Sequence, residues 1–263
     1  MITANMATFP PRSEGLRDVV ARILPQVDQL NIVFNEYDKI PEEYQNTRGL
    51  TPIIPHEDTK DVGKFYPDVS KSDYVLFVDD DVDYPDDYVS ETVEKFECLP
   101  AGRFLGGYHT SIYRKPELGA SLYKARRYAL FFLSPNRIAE FRKVYTFRHD
   151  LDVPIFVDQV ATNSAIIRGE DMPPYTYMRD SQKFVDVRLA LWCFEQGIET
   201  IALPRKCGWL STEPDDNSIY LNFTQKHHRY VARDIWKFAF KKPHVGRELD
   251  VERPDLRTGS MGK

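Results

Sequence analysis

One run of eight residues limits this chain more than any other: Tyr74-Val75-Leu76-Phe77-Val78-Asp79-Asp80-Asp81, with Asp83, Asp86 and Asp87 close behind. An apolar strand ends abruptly in three adjacent carboxylates. Alternation along an extended chain puts Asp79 and Asp81 on one side and Asp80 on the other. Two like charges about 4 Å apart repel by roughly 4 kcal/mol at an effective dielectric of about 20. A cation relieves that repulsion. Oxygen-only ligands suit Mg²⁺ or Mn²⁺, and Mg²⁺ commonly sits on one or two carboxylates plus substrate phosphates. The run therefore reads as a metal–diphosphate site, with a solvated acidic turn as the plainer alternative. A calcium loop fails on spacing. Counted from Asp79, Tyr84 stands where the sharp turn needs Gly and Ser90 where the loop needs a bidentate Glu; counted from Asp81, the same places hold Asp86 and Thr92.

The rest of the composition fits a protein with a packed core. At 263 residues the chain is long enough to bury one, and its 42% hydrophobic and 13% aromatic content is that of a globular protein. A net charge of −5 argues against a general nucleic-acid binder. Cys98, Cys193 and Cys207 are widely spaced and form no CxxC pair, as expected of reduced thiols in the cytoplasm. No run reaches the ~18 apolar residues of a membrane span, and a first strand starting at Ile2 leaves no signal peptide. The expected location is cytoplasmic, with any membrane contact peripheral.

Strands and helices alternate in the first half. Ile2–Thr8 reads as a strand, Phe9-Pro10-Pro11-Arg12 as a rigid turn, and Ser13 as the cap of a helix to about Leu24. Leu30–Asn35 is a second strand, Pro52–Pro55 a short third, and Tyr74–Val78 carries the aspartates. Asp86 or Asp87 opens a helix through Phe96. This order predicts an α/β sheet, whose ligands sit beyond the carboxyl ends of the strands, where Thr8, Asn35 and Asp79 all fall. Further on, Phe104–His109 and Val157–Ile167 read as strands, Lys124–Phe132 as an aromatic and basic stretch, Asp186–Gln196 as a helix ended by Gly197, and Thr200–Leu203 as a strand. His227 and His228 fall in an expected C-terminal helix. The tail from Arg247 is polar and expected to be loose, so a single domain is expected over 1–246 with a tail over 247–263.

Taken in order, the motifs resemble a known family. Ala7-Thr8-Phe9-Pro10-Pro11-Arg12, Gly63-Lys64-Phe65, Asp79-Asp80-Asp81, Gly107-Tyr108-His109, Val185-Asp186-Val187 and Pro204-Arg205 with Gly208-Trp209-Leu210 are similar to those of GT-A fold glycosyltransferases, close to the large family-two group of bacterial and viral enzymes. The resemblance implies one domain with a central mixed, mostly parallel sheet flanked by helices. It implies a nucleoside-diphosphate sugar donor, with UDP as the default nucleotide, and a Mn²⁺ or Mg²⁺ ion. Asp81 would bind the metal, Asp79 the metal or the donor's ribose, and Asp80 the nucleotide or sugar. Thr8, Phe9, Pro11 and Arg12 would cradle base and ribose, with Asn35 and Asp61 as further base ligands. Lys64 and Arg12 would stabilise charge on the leaving phosphate.

The resemblance also implies a catalytic base. Asp186 sits at a helix start, where the macrodipole favours a carboxylate, and would take the acceptor hydroxyl's proton in a single inverting displacement. The plain alternative is a helix cap. Asp180 and Asp158 are the other candidate bases, because one acid followed by Val187 departs from the family's commoner Glu-Asp pair. His109 is a candidate donor or acceptor contact, His228 a candidate third metal ligand, and Trp209 a candidate sugar platform. The expected acceptor is a glycan or glycolipid. The stretch 229–244 mixes aromatic and basic residues and reads as a membrane or partner-domain contact, or as an amphipathic helix packed on the core. The competing functions are a nucleotidyltransferase, which would release pyrophosphate, and a non-catalytic nucleotide-sugar binder.

Overall fold

The computed structural model describes residues 1–212 and 227–251. Its centre is an eight-stranded sheet built from β1 (Ile2–Thr8), β2 (Gln29–Phe34), β3 (Leu50–Ile53), β4 (Tyr74–Val78), β6 (Phe104–Gly107), β9 (Ile155–Phe156), β11 (Ser164–Arg168) and β12 (Glu199–Ala202). Two smaller sheets, one of two strands and one of three, accompany it among the described residues. In one, β5 (Val82–Asp83) meets β13 (Ser211–Thr212); in the other, β7 (Thr110–Tyr113) lies between β10 (Gln159–Val160) and β8 (Arg142–Tyr145). The main order is β3-β2-β1-β4-β11-β6-β12-β9, and only β11 and β9 run against the rest. The fold is thus α/β with a mixed, mostly parallel sheet, as expected.

Alternation along β4 explains the two-layered core. Tyr74, Leu76 and Val78 join Leu16, Val19, Val20 and Ile23 of α1 (Ser13–Ile23) and Tyr88, Val89 and Phe96 of α2 (Tyr88–Glu97) in one buried cluster. Val75 and Phe77 point the other way, into a cluster with Val185, Leu189 and Cys193. A third cluster lies between α3 (Leu122–Leu133), α5 (Val185–Gln196) and α6 (Arg229–Phe238); α4 is the single turn Tyr175–Met178. Gly197 closes α5 at φ +68°, a left-handed position that glycine adopts without Cβ strain.

Several expected elements change shape. The apolar run 157–167 is not one strand. Asp158 turns inward to accept the Tyr113 amide at 2.7 Å, and the chain leaves extended pairing between β10 and β11. The aromatic and basic stretch after residue 121 is a helix, capped by Ser121 Oγ, which accepts the Lys124 amide. α6 begins at Arg229, so His228 is its N-cap, and its apolar side is buried through Ala232, Ile235 and Phe238. Arg247–Val251 is tied down: Phe156 N donates to Arg247 O, Leu249 N to Pro154 O, and Leu249 and Val251 pack on the core. Residues 252–263 lie outside the described residues.

Gly107 sets how closely β6 and β11 meet. A Cβ there would lie 2.4 Å from Val160 Cγ1 and 2.8 Å from the Ser164 carbonyl. Gly107→Ala should therefore lower the free energy of unfolding in urea by roughly 1–3 kcal/mol, the usual cost of overpacking. An unchanged midpoint would contradict this packing.

Candidate active site at the carboxyl edge of the sheet

Because β1, β2, β4, β6 and β12 run in one direction, their carboxyl ends share an edge, and β11 begins there. Asn35, the Thr8 turn, Asp79, Thr162, His109 and Arg205 thus follow one another across it.

Asp79, Asp80 and Asp81 lie just past β4, and they divide by environment. Asp79 pairs with the Lys64 ammonium, which also donates to the Thr162 carbonyl at 2.8 Å. Asp80 turns to the opposite face. It accepts from Thr8 Oγ1 at 2.6 Å and from Arg12 at 3.0 Å, and burial pushes its carboxyl up to about 6. Simple alternation fails at Asp81, because a turn at 80–81 brings it to Arg12 at 2.5 Å. Asp79 and Asp81 are one-third exposed, whereas Asp80 is 6% exposed. Burial and then Asp79's charge raise the Asp81 carboxyl. Burial works against the Arg12 cation, but Asp81 and Asp80 hold it firmly protonated. Arg12 lies 5.9 Å from the Phe9 ring, and Pro11 sits exposed in the same turn.

Two positioning residues carry no local sequence signal. Tyr84 is fully buried; its hydroxyl accepts the Asp79 amide at 2.9 Å and donates to the Asn163 carbonyl at 2.5 Å. Thr162 receives Lys64 on its carbonyl, while its amide and hydroxyl donate to Asp186 Oδ1 at 2.8 and 3.0 Å. Asp186 therefore binds across to Thr162 and does not cap its own helix. One chain of contacts runs Asp79–Lys64–Thr162–Asp186. Asp186 also lines a cavity of about 70 Å³ with Tyr113, Arg142, Gln159, Lys183 and His228.

Other expected residues fall elsewhere or serve the scaffold. Asn35 is buried; its Oδ1 accepts from the Thr59 amide and hydroxyl, and its Nδ2 donates to the Lys60 carbonyl, so it clamps a turn. Asp61 accepts from the Lys183 amide, and burial, reinforced by the nearby Asp186 charge, raises it to about 6. His228 stands on the Asp186 cavity, and the structure does not gather it with Asp79 and Asp81. His109 packs edge-on to Phe147; burial, then Arg142, Arg205 and Arg148, hold it neutral with a pKa of about 4. Arg205 is buried and donates to the Leu203 and Thr146 carbonyls. Asp158 is buried on Tyr113 and Asp180 is exposed beside Arg179. Trp209 packs with Tyr88 and Tyr108 under Lys95 and donates to Asp87.

The donor set at Asp79 and Asp81 is all oxygen. Among the described residues no three His, Cys, Asp or Glu side chains converge. A divalent ion here would take two carboxylates and complete its shell from phosphate and water, the Mg²⁺ habit.

No family model matches the chain, and no curated protein sequence matches it. Among solved structures, it is similar to a mycobacterial protein (TM-score 0.49, 15% identity, 91% of this chain and 74% of that one). It is also similar to mannosyl-3-phosphoglycerate synthase from Rubrobacter xylanophilus (TM-score 0.48, 12% identity, 97% and 78%). Likeness at this level carries no substrate.

Buried Asp158 makes stability pH-dependent. Burial raises its carboxyl from the ordinary 3.8 to about 6, against the opposing Tyr113 amide. The folded state therefore keeps this proton to higher pH than the unfolded state does. The stabilisation is complete below about pH 4 and is lost as pH rises through about 6, with a limit of about 3 kcal/mol. Asp158→Asn should flatten that fall in urea unfolding between about pH 4 and pH 7. An unchanged slope in the variant would contradict the assignment.

Proposed function

We propose that this chain is a metal-dependent, inverting glycosyltransferase of the GT-A type. It moves a hexosyl or deoxyhexosyl group from a nucleoside-diphosphate sugar, with UDP favoured, to a glycan or glycolipid hydroxyl. The observation that carries this reading is the contact chain from Asp79 through Lys64 and Thr162 to Asp186. It joins a diphosphate-type acidic edge to a carboxylate on a cavity wall.

Each residue then has a task. Thr8, Phe9, Pro11 and Arg12 form the turn that would receive the nucleotide. Asp79 and Asp81 would hold Mg²⁺ or Mn²⁺, which as a Lewis acid stabilises charge on the departing diphosphate. Lys64 and Arg12 add fixed positive charge at the same edge. Asp80, turned into the protein, orients Thr8 and Arg12. Asp186 Oδ1 is engaged by Thr162, and Oδ2 takes no hydrogen bond from a described residue. Oδ2 is thus the atom that would accept the acceptor hydroxyl's proton. As that oxygen attacks the anomeric carbon from the face opposite the diphosphate, the glycosidic bond breaks and the electron pair leaves with the nucleoside diphosphate. The configuration inverts.

Incubation with a panel of nucleoside-diphosphate sugars and Mn²⁺ tests the reading. The expected products are a nucleoside diphosphate and a transferred or hydrolysed sugar. Release of pyrophosphate would contradict it. Asp186→Asn should retain nucleotide binding and lose about 10²-fold or more in turnover, and full turnover in that variant would remove Asp186 from the mechanism.

A further inference from the structure

Of the nine large apolar side chains exposed among the described residues, five fall between Leu118 and Leu133. Leu118 is 71% exposed, Leu122 87%, Tyr123 67%, Phe132 60% and Leu133 80%. Four of these belong to α3, whose sequence LYKARRYALFFL holds Lys124, Arg126 and Arg127 and no acidic residue. Helical spacing sets Leu122, Arg126, Ala129 and Leu133 in one outward stripe, with Tyr123 and Phe132 on its flanks. The opposite side is anchored: Phe131 is buried against Phe141, Trp236 and Phe240. The helix is therefore fixed to the body by one face and turns an apolar face with exposed cations to solvent. Other helices here do the reverse; α6 buries its apolar side.

We propose that α3 is an interfacial helix that seats the protein on an anionic lipid surface. A helix with Leu and Phe on one side and Lys and Arg beside them lies at a bilayer interface, and its cations are drawn to acidic headgroups. Charge selects this occupant. A second copy of the same face would bring like charges together, whereas anionic lipid complements them. The position supports it too. The turn that follows α3, Pro135–Glu140, supplies Asn136 and Ala139 to the cavity that holds Asp186. A seated helix thus brings that cavity close to the headgroups, which, resting on the transferase reading, makes the acceptor a lipid-borne glycan. The stretch 229–244, read from its composition as a membrane or partner-domain contact or as a packed amphipathic helix, buries the apolar side of α6 in the core.

Flotation of the full chain with vesicles tests this directly. The protein should float with phosphatidylcholine vesicles that contain phosphatidylglycerol and stay behind with phosphatidylcholine alone. Leu122→Glu with Leu133→Glu, both at exposed positions, should reduce flotation at least about tenfold without changing the urea midpoint. Lys124→Glu with Arg126→Glu should remove the preference for the acidic lipid. Absence of flotation, equal flotation with either vesicle, or unchanged flotation of the leucine variant would overturn the proposal. So would a concentration-dependent dimer dissolved by the leucine variant, which would make a second copy the occupant. Flotation needs no nucleotide. A chain that floats but transfers no sugar would keep the lipid surface and lose the transferase reading, whereas a chain that transfers sugar without floating would keep the transferase reading and lose both the lipid surface and the lipid-borne acceptor.

Discussion

The arrangement depends on one buried ammonium. Lys64 is 3% exposed, and a cation so enclosed is costly unless paired and hydrogen-bonded. Asp79 and the Thr162 carbonyl do both. Its backbone is gripped as well. Asn5 Nδ2 donates to the Lys64 carbonyl at 2.8 Å, and Asn35 clamps the turn just before it. The lysine thereby joins the end of β4 to the start of β11, and Thr162 passes the connection to Asp186.

That pairing also sets the electrostatics of the edge. Three carboxylates face two cations, Lys64 and Arg12, so negative charge remains after the internal pairs form. The inward Asp80 holds the turn that carries Arg12, while the partly exposed Asp79 and Asp81 face outward. A divalent ion brought by a diphosphate suits that remainder. Across the sheet the character changes: around neutral His109 stand Arg142, Arg148 and Arg205. The edge is thus acidic near β4 and basic near β12, and Asp186 lies between them.

Much of the frame was legible because periodicity and punctuation agree. β1, α1, β2 and β4 each show their spacing, and α5 ends where Gly197 stands. The aspartate run and Asp186 were visible as residue types at strand and helix ends. The linking residues were not. Thr162 and Tyr84 matter through the register that sets Ser164 opposite Val78, and no local pattern encodes a cross-strand register. The run 157–167 misled because apolar content looks the same in one strand or two short ones, and the break depends on a distant amide at Tyr113. Asn35 and His228 show the converse. Residue type suited a ligand, but Asn35 fastens a turn, while His228 ends at the Asp186 cavity. In α3 Leu122, Tyr123, Phe132 and Leu133 face outward while Phe131 is buried, so composition alone did not mark it as a surface element.

Calorimetric titration of UDP, GDP, dTDP and CDP, each with and without Mn²⁺, tests the central claim most directly. The account predicts that one nucleotide binds tightly only when the metal is present, and that Asp81→Ala abolishes this dependence. If none binds with Mn²⁺ present, or binding ignores the metal, the acidic edge is a structural turn and the assignment fails.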